Sequence, residues 1–162
     1  MIRVFICYGG TVGLSIGLRL RDFLLDSGMR PFLAGRGSPD IPAGENLDVV
    51  IYDNLRRTHI MVSICDLNIM MSKYAREEIQ TAKQEGILNI PFLMEGRSLP
   101  KNLERTWAPI KYDPNSVEAS FPQLLVGIHC SIQFRAEKWF ESLGSHPEDG
   151  LPVVVLRRRV AS

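Results

Sequence analysis

A net excess of charge is nearly absent from this chain: 19 Lys and Arg stand against 18 Asp and Glu, a formal net charge of +1. That balance excludes a general attraction to nucleic acid or to an anionic membrane surface. Cysteine is scarce too. Cys7, Cys65 and Cys130 are odd in number and lack metal-ligand spacing, and Cys7 and Cys65 lie inside apolar runs, so they read as small buried hydrophobes of a reducing compartment. His59, His129 and His146 are scattered, which predicts structural or surface roles and no metal site. No apolar run approaches bilayer-spanning length. Met1-Ile2-Arg3-Val4-Phe5 has no charged lead before a long apolar region, so no signal peptide is expected and the protein is expected to be cytoplasmic. There is no internal repeat. Gly9, Gly10, Gly13 and Gly17 do not make the Gly-x-Gly-x-x-Gly dinucleotide fingerprint.

What is present suits one globular domain. A length of 162 residues allows one core, and 45% hydrophobic with 23% charged residues argues against disorder for the bulk of the chain. Ile2–Tyr8 reads as a buried strand closed by Gly9-Gly10, and Val12–Ser27 as a helix stopped by Gly28. Residues 30–34 form a second strand whose Pro31 predicts a strand start or an edge. A helix over 45–57, a strand over 59–65, a helix over 73–85 capped by Ser72, a strand over 87–94 interrupted by Pro91, a brief strand over 110–112 and a last helix over 121–143 complete the pattern. This alternation predicts an α/β fold, a central parallel five-stranded sheet with helices on both faces. The domain is expected to cover 1–143. Residues 144–162 read as a linker and C-terminal tail, with Leu151–Leu156 an added edge strand or a docking segment and Arg157-Arg158-Arg159 a solvated terminus. Trp107, Trp139 and Phe140 are expected to pack.

Ligands of such sheets bind beyond the carboxyl ends of the strands, here at the loops that begin at Gly9, Gly35 and Asp66. The loop over 35–44 holds three glycines and two prolines, which exclude regular structure, and a loop of this length in a compact domain is commonly functional or mobile. Gly9 and Gly10 allow either a ligand's close approach to the backbone or a plain tight turn. Arg36 can pair with phosphate or simply be solvated. Tyr8 and Phe32 offer rings for stacking, with core packing the alternative for Phe32. On the helix over 73–85, Ala75, Ile79 and Ala82 mark the buried face. At ~100° per residue Glu78 stands ~60–70° from the centre of that face and Glu77 nearly opposite. Tyr74 lies one turn from Glu78 on the same shoulder, so Glu78 is expected at a cleft edge beside an aromatic ring, with a solvated glutamate as the alternative.

Five segments in order carry a family resemblance: Phe5-Ile6-Cys7-Tyr8, the loop from Gly35 closing on Pro42-Ala43-Gly44, Ile60–Cys65, Ser72-Lys73-Tyr74-Ala75-Arg76-Glu77-Glu78, and Asn89-Ile90-Pro91-Phe92. Over Arg3 to about Leu143 the chain resembles a TIR (Toll/interleukin-1 receptor) domain of the stand-alone microbial type, a flavodoxin-like fold whose loop over 35–44 is the BB loop. It departs from the family in two places. Gly9-Gly10-Thr11 stands where a charged residue often follows the first strand, and Tyr74 replaces the tryptophan of the motif.

The resemblance implies an NAD+ glycohydrolase or cyclase. It would release nicotinamide and give ADP-ribose or a cyclic isomer, in immunity or host interference. Glu78 would be the catalytic carboxylate, and Tyr8, Gly9, Gly10, Phe32, Arg36 and Tyr74 would hold substrate. NAD+ is then the substrate, and no cofactor or metal is implied. Nicotinamide is already cationic in NAD+ and leaves neutral, so no general acid is required, and one carboxylate can stabilise the positive charge that builds on the ribose. Self-association through the BB loop, and contact with other TIR proteins, are also implied. The rival readings are a non-catalytic TIR interaction module and, more distantly, a nucleoside deoxyribosyltransferase-like enzyme.

Overall fold

The computed structural model describes residues 1–101, 103 and 108–142. The readings of Trp107, His146 and the segment over 144–162 therefore lie outside the described residues.

Five strands form one parallel sheet: β1 (Arg3–Cys7), β2 (Arg30–Leu33), β3 (Ile60–Cys65), β4 (Leu88–Met94) and β5 (Ile110–Tyr112), in the order β2-β1-β3-β4-β5. Four helices connect and follow them: α1 (Gly10–Asp26), α2 (Leu47–Arg56), α3 (Lys73–Gln84) and α4 (Phe121–Ser142). The strand period of two divides the core into two layers. Val4, Ile6, Val62, Ile64 and Phe92 face α1 and α4, where Leu20, Leu24, Leu124 and Ile128 meet them. Phe5, Cys7, Met61, Cys65 and Leu93 face α2 and α3, where Ile51, Leu55, Ala75, Ile79 and Ala82 meet them. Both faces are covered, as the near-continuous apolar strands require.

Each proline sits where the sheet can spare a donor. Arg30 and Ala34 donate inward to Ile2 and Ile6, so Pro31 turns its missing N–H to the open side of edge strand β2. In β4, Glu95 donates to Tyr112. By the same period Pro91 faces the β5 side, one position before β5 begins opposite Phe92.

The loop from β2 to α2 is rooted at its first half. The Asp40 carboxylate accepts from Arg21 Nε at 2.9 Å and Nη2 at 2.6 Å on α1, and from the outward Leu33 N–H at 2.8 Å. The outer edge of β2 is thus blunted twice, by Pro31 and by Asp40. Residues Pro42–Glu45 are exposed. The chain re-enters helix at Asn46, whose side chain caps α2 by accepting from the N–H groups of Asp48 and Val49.

Candidate functional site

At the carboxyl end of the sheet three turns crowd together. Gly9 ends β1 against the turn that follows β3: a Cβ at Gly9 would lie 2.6 Å from both the Asn68 carbonyl oxygen and Ile69 Cα. That contact is backbone on backbone, so the glycine serves loop packing. Gly10 begins α1 with a φ of +72°, a left-handed conformation that glycine adopts without strain. Tyr8 is half-buried and donates from its hydroxyl to the Arg36 carbonyl oxygen at 3.1 Å. The Tyr8–Arg36 tie joins the end of β1 to the start of the loop after β2, and it leaves the Arg36 guanidinium exposed.

Asp66, at the end of β3, was not singled out by the sequence. Its carboxylate accepts from the Asn68 N–H at 2.8 Å. Burial raises its pKa, and the backbone N–H groups of Asn68, Ile69 and Gly13 oppose the rise. Gly13 belongs to the first turn of α1, so the Asp66 carboxylate lies beside that helix terminus, with its buried Oδ2 lacking a hydrogen-bond partner among the described residues.

On α3, Ser72 Oγ caps the first turn by accepting from the Ala75 N–H at 3.2 Å. The helix buries Ala75, Glu78, Ile79 and Ala82. Glu78 is 4% exposed, against the expectation of a cleft-edge position, whereas Tyr74 is 49% exposed. The two side chains therefore do not share a shoulder: the limit of burial falls in the ~40° that separates them around the helix. The floor beneath α3 explains the difference. Cys7 is paired in register with Ser63, and both are fully buried on the face that α3 covers. Their small side chains leave room that a leucine or phenylalanine would fill. Glu77 stays exposed, as the helical wheel predicts.

The environment of Glu78 is unusual for a carboxylate. Burial raises its pKa from 4.5 to about 8, the Cys7 thiol opposes the rise, and Glu77 adds to it. Oε2 has no hydrogen-bond partner among the described residues. The Cys7 S–H has two acceptors in reach, the Ala75 carbonyl oxygen 3.8 Å from Sγ and the Glu78 carboxyl. Burial, and then Glu78, push the Cys7 thiol well up and the Tyr8 phenol up. Glu78, Cys7 and Tyr8 are therefore electrostatically one group. A carboxyl of this kind is largely neutral at pH 7, and a cation brought beside it would favour its ionised form. Tyr8, Gly9, Gly10 and Arg36 are thus gathered at the strand ends, whereas Phe32 is 8% exposed and packs against Phe5 in the core, ring centroids 5.5 Å apart and tilted by 34°.

Neither of the two principal cavities is lined by Glu78. One, of about 450 Å³, is an open groove between α2 and α3 lined by Tyr52, Arg76 and Glu77 among others. The other, of about 510 Å³, lies beside β2 and takes Phe32 as a wall. Among the described residues no group of three or more His, Cys, Asp or Glu is placed to hold a metal ion, and no helix is long and apolar enough to cross a membrane.

Against known proteins, the family model of the TIR domain matches residues 4–125. No curated protein matches in sequence. Three solved structures show the same fold. The TIR domain of the Toll-related receptor TRR-2 from Hydra magnipapillata has a TM-score of 0.62 at 17% identity, over 78% of this chain and 97% of that one. The CMP N-glycosidase BcmB from Clostridium botulinum has a TM-score of 0.53 at 16% identity, over 75% and 97%. The TIR domains of the activated Roq1 resistosome, which recognises the pathogen effector XopQ, have a TM-score of 0.50 at 12% identity, over 86% and 78%.

Proposed function

This chain belongs to the TIR domain family, and we propose that it is an NAD+-cleaving member, breaking the bond between nicotinamide and ribose with Glu78 as its carboxylate. The observation that carries this reading is the state of Glu78: a glutamate 4% exposed, with one oxygen unpartnered, one turn beyond Tyr74 and against the end of β1. Burying a carboxylic acid without full hydrogen bonding costs stability, and such costs concentrate where chemistry uses the group. The charge argument fits NAD+. The ground state carries its positive charge on nicotinamide, and cleavage moves it to the ribose. The neutral carboxyl gives its proton to solvent as that cation arrives, and the carboxylate then stabilises the oxocarbenium-like centre. Nicotinamide leaves as a neutral molecule, and water, or the adenine of the same molecule, takes the ribose carbon. The products are ADP-ribose in the first case and a cyclic isomer in the second.

In this reading Tyr8, Gly9, Gly10 and Arg36 at the strand ends, with Tyr74 on α3, hold the substrate. Because Glu78 is 4% exposed, in this reading the turn at Gly9-Gly10 and the loop from Gly35 move to admit the substrate. The exposed Pro42–Glu45 stretch of the BB loop is the surface offered to a second copy, and its engagement would supply that movement. The fold shared with a C. botulinum CMP N-glycosidase makes CMP, and nucleosides generally, a second substrate class to assay.

The enclosure of Glu78 favours one rival, a TIR interaction module without catalysis. The two separate cleanly. Concentrated protein incubated with NAD+ should release nicotinamide, and Glu78→Gln should abolish the release while leaving the circular dichroism spectrum unchanged. Absence of nicotinamide, ADP-ribose and cyclic product at high protein concentration, or equal turnover by Glu78→Gln, removes the enzymatic reading and leaves the module.

A further inference from the structure

The cavity beside β2 has a charge pattern that folding alone does not explain. Arg3 and Arg30 are direct Cα partners on neighbouring parallel strands. Their side chains therefore project to the same face, and like charges directly opposite one another are destabilising. Arg57, in the turn before β3, joins them in lining the same cavity of about 510 Å³. Among the described residues none of the three forms an ion pair. Of the carboxylates that line the cavity, Asp40 is already taken by Arg21, which leaves Glu45 alone to oppose three guanidinium groups. Burial, and after it the charges of Arg3 and the N-terminus, hold the His59 pKa down. So the nearest titratable group does not lessen the need for an anion. Asn54 and Thr58 add neutral polar groups to the wall, and Phe32, Pro42 and Val50 supply its apolar part.

We propose that this cavity binds a small phosphorylated molecule, with Arg3, Arg30 and Arg57 taking a diphosphate group and Phe32, Pro42 and Val50 covering its organic body. Guanidinium groups present paired donors that match phosphoryl oxygens, and three of them around one anion would relieve the repulsion built into the strand pair. The volume falls in the range that encloses a nucleotide-sized ligand. Glu78 does not line this cavity, so the site is separate from the proposed NAD+ chemistry and does not depend on it.

The test is direct binding to the intact protein, with inorganic pyrophosphate and ADP as probes, followed by calorimetry and by amide chemical shifts at low ionic strength. Both probes should bind saturably, moving the resonances of Arg3, Arg30, Phe32 and Val50, with ADP the tighter of the two. Raising the salt should weaken binding. Arg57→Ala alone should weaken pyrophosphate by about tenfold, and Arg30→Ala with Arg57→Ala by more. Arg97→Ala, outside the cavity, should bind as the parent does. If Arg30→Ala compromises the fold, Arg57→Ala carries the test. No saturable binding at millimolar pyrophosphate, or equal binding by the arginine variants, overturns the site; ADP binding no tighter than pyrophosphate overturns the assignment of an organic ligand.

Discussion

Replacing Glu78 by glutamine isolates the energetic consequence of burying that carboxyl, whatever the protein's activity. In the unfolded chain the group ionises near 4.5; in the folded protein it does so only at about 8. The folded state therefore holds the proton more tightly between those values, and linkage makes stability fall as pH rises through that window. The contribution is fully present below 4.5 and is lost progressively up to about 8. At pH 7 the unfolded chain gains roughly 3 kcal/mol from an ionisation that the folded protein refuses, and most of that accrues between pH 5 and pH 7. Glutamine cannot ionise, so the variant lacks this slope. Its amide would bring a donor to a place where Oε2 already lacks a partner, at a cost of about 1–2 kcal/mol that is the same at every pH. The diagnostic is therefore the difference in slope and not the offset. Urea unfolding of both proteins at pH 5, 6, 7 and 8 measures it. The two stability curves should converge or cross as pH rises, with Glu78→Gln gaining on the parent by about 2–3 kcal/mol from pH 5 to pH 7. Parallel curves would refute the reasoning, because a carboxyl that titrates normally in the folded protein contributes no slope.

Three further outcomes follow from other parts of the molecule. If the Glu78 carboxylate is the catalytic form, kcat/KM for nicotinamide release should rise about tenfold per pH unit below about 8 and flatten above it, and a flat profile from pH 6 to 9 would exclude that role. Asp40→Ala strands the Arg21 guanidinium and the Leu33 N–H together; it should cost about 2–3 kcal/mol and speed limited proteolysis within 41–45, and an unchanged melting temperature would show that the clamp holds nothing. Gly9→Ala forces a Cβ to 2.6 Å from backbone atoms and should cost about 2–3 kcal/mol. Gly28→Ala, at a φ of +77° with open space around it, should cost about 1 kcal/mol. Thermal melts that reverse the glycine ranking would contradict the loop contact.

Several limits of the elements were legible because each has a local cause: Ser72 as a cap, Gly28 and Gly86 as stops, Pro31 as the mark of an edge; the cap at Asn46 was missed, and the helix expected from 45 begins at Leu47. The strand order was not local in that sense, yet the alternation of strands and helices implied a parallel sheet covered on both faces. What escaped the sequence is what two distant segments create together. Asp40 reads as one polar residue in a glycine- and proline-rich loop, and nothing within seven residues of it announces Arg21 on α1. Arg3 and Arg30 become a pair only once β1 and β2 are in register.

Glu78 shows the same limit most sharply. A helical wheel fixes its angle from the buried face, but burial at that angle is decided by the floor the helix meets. Under α3 that floor is Cys7 and Ser63, side chains small enough to draw the glutamate inward. Tyr74, ~40° further round, has no such place and stays half in water. The signal lay in β1 all along: Cys7 shares the parity of Phe5, so it had to face the same layer as α3, and a small residue there makes room for a neighbour's side chain. Enlarging Cys7 to leucine should therefore push Glu78 outward, return its pKa towards the ordinary carboxylate range and remove the pH slope of stability that the parent shows; a retained slope in Cys7→Leu would mean that burial of the acid does not depend on that floor.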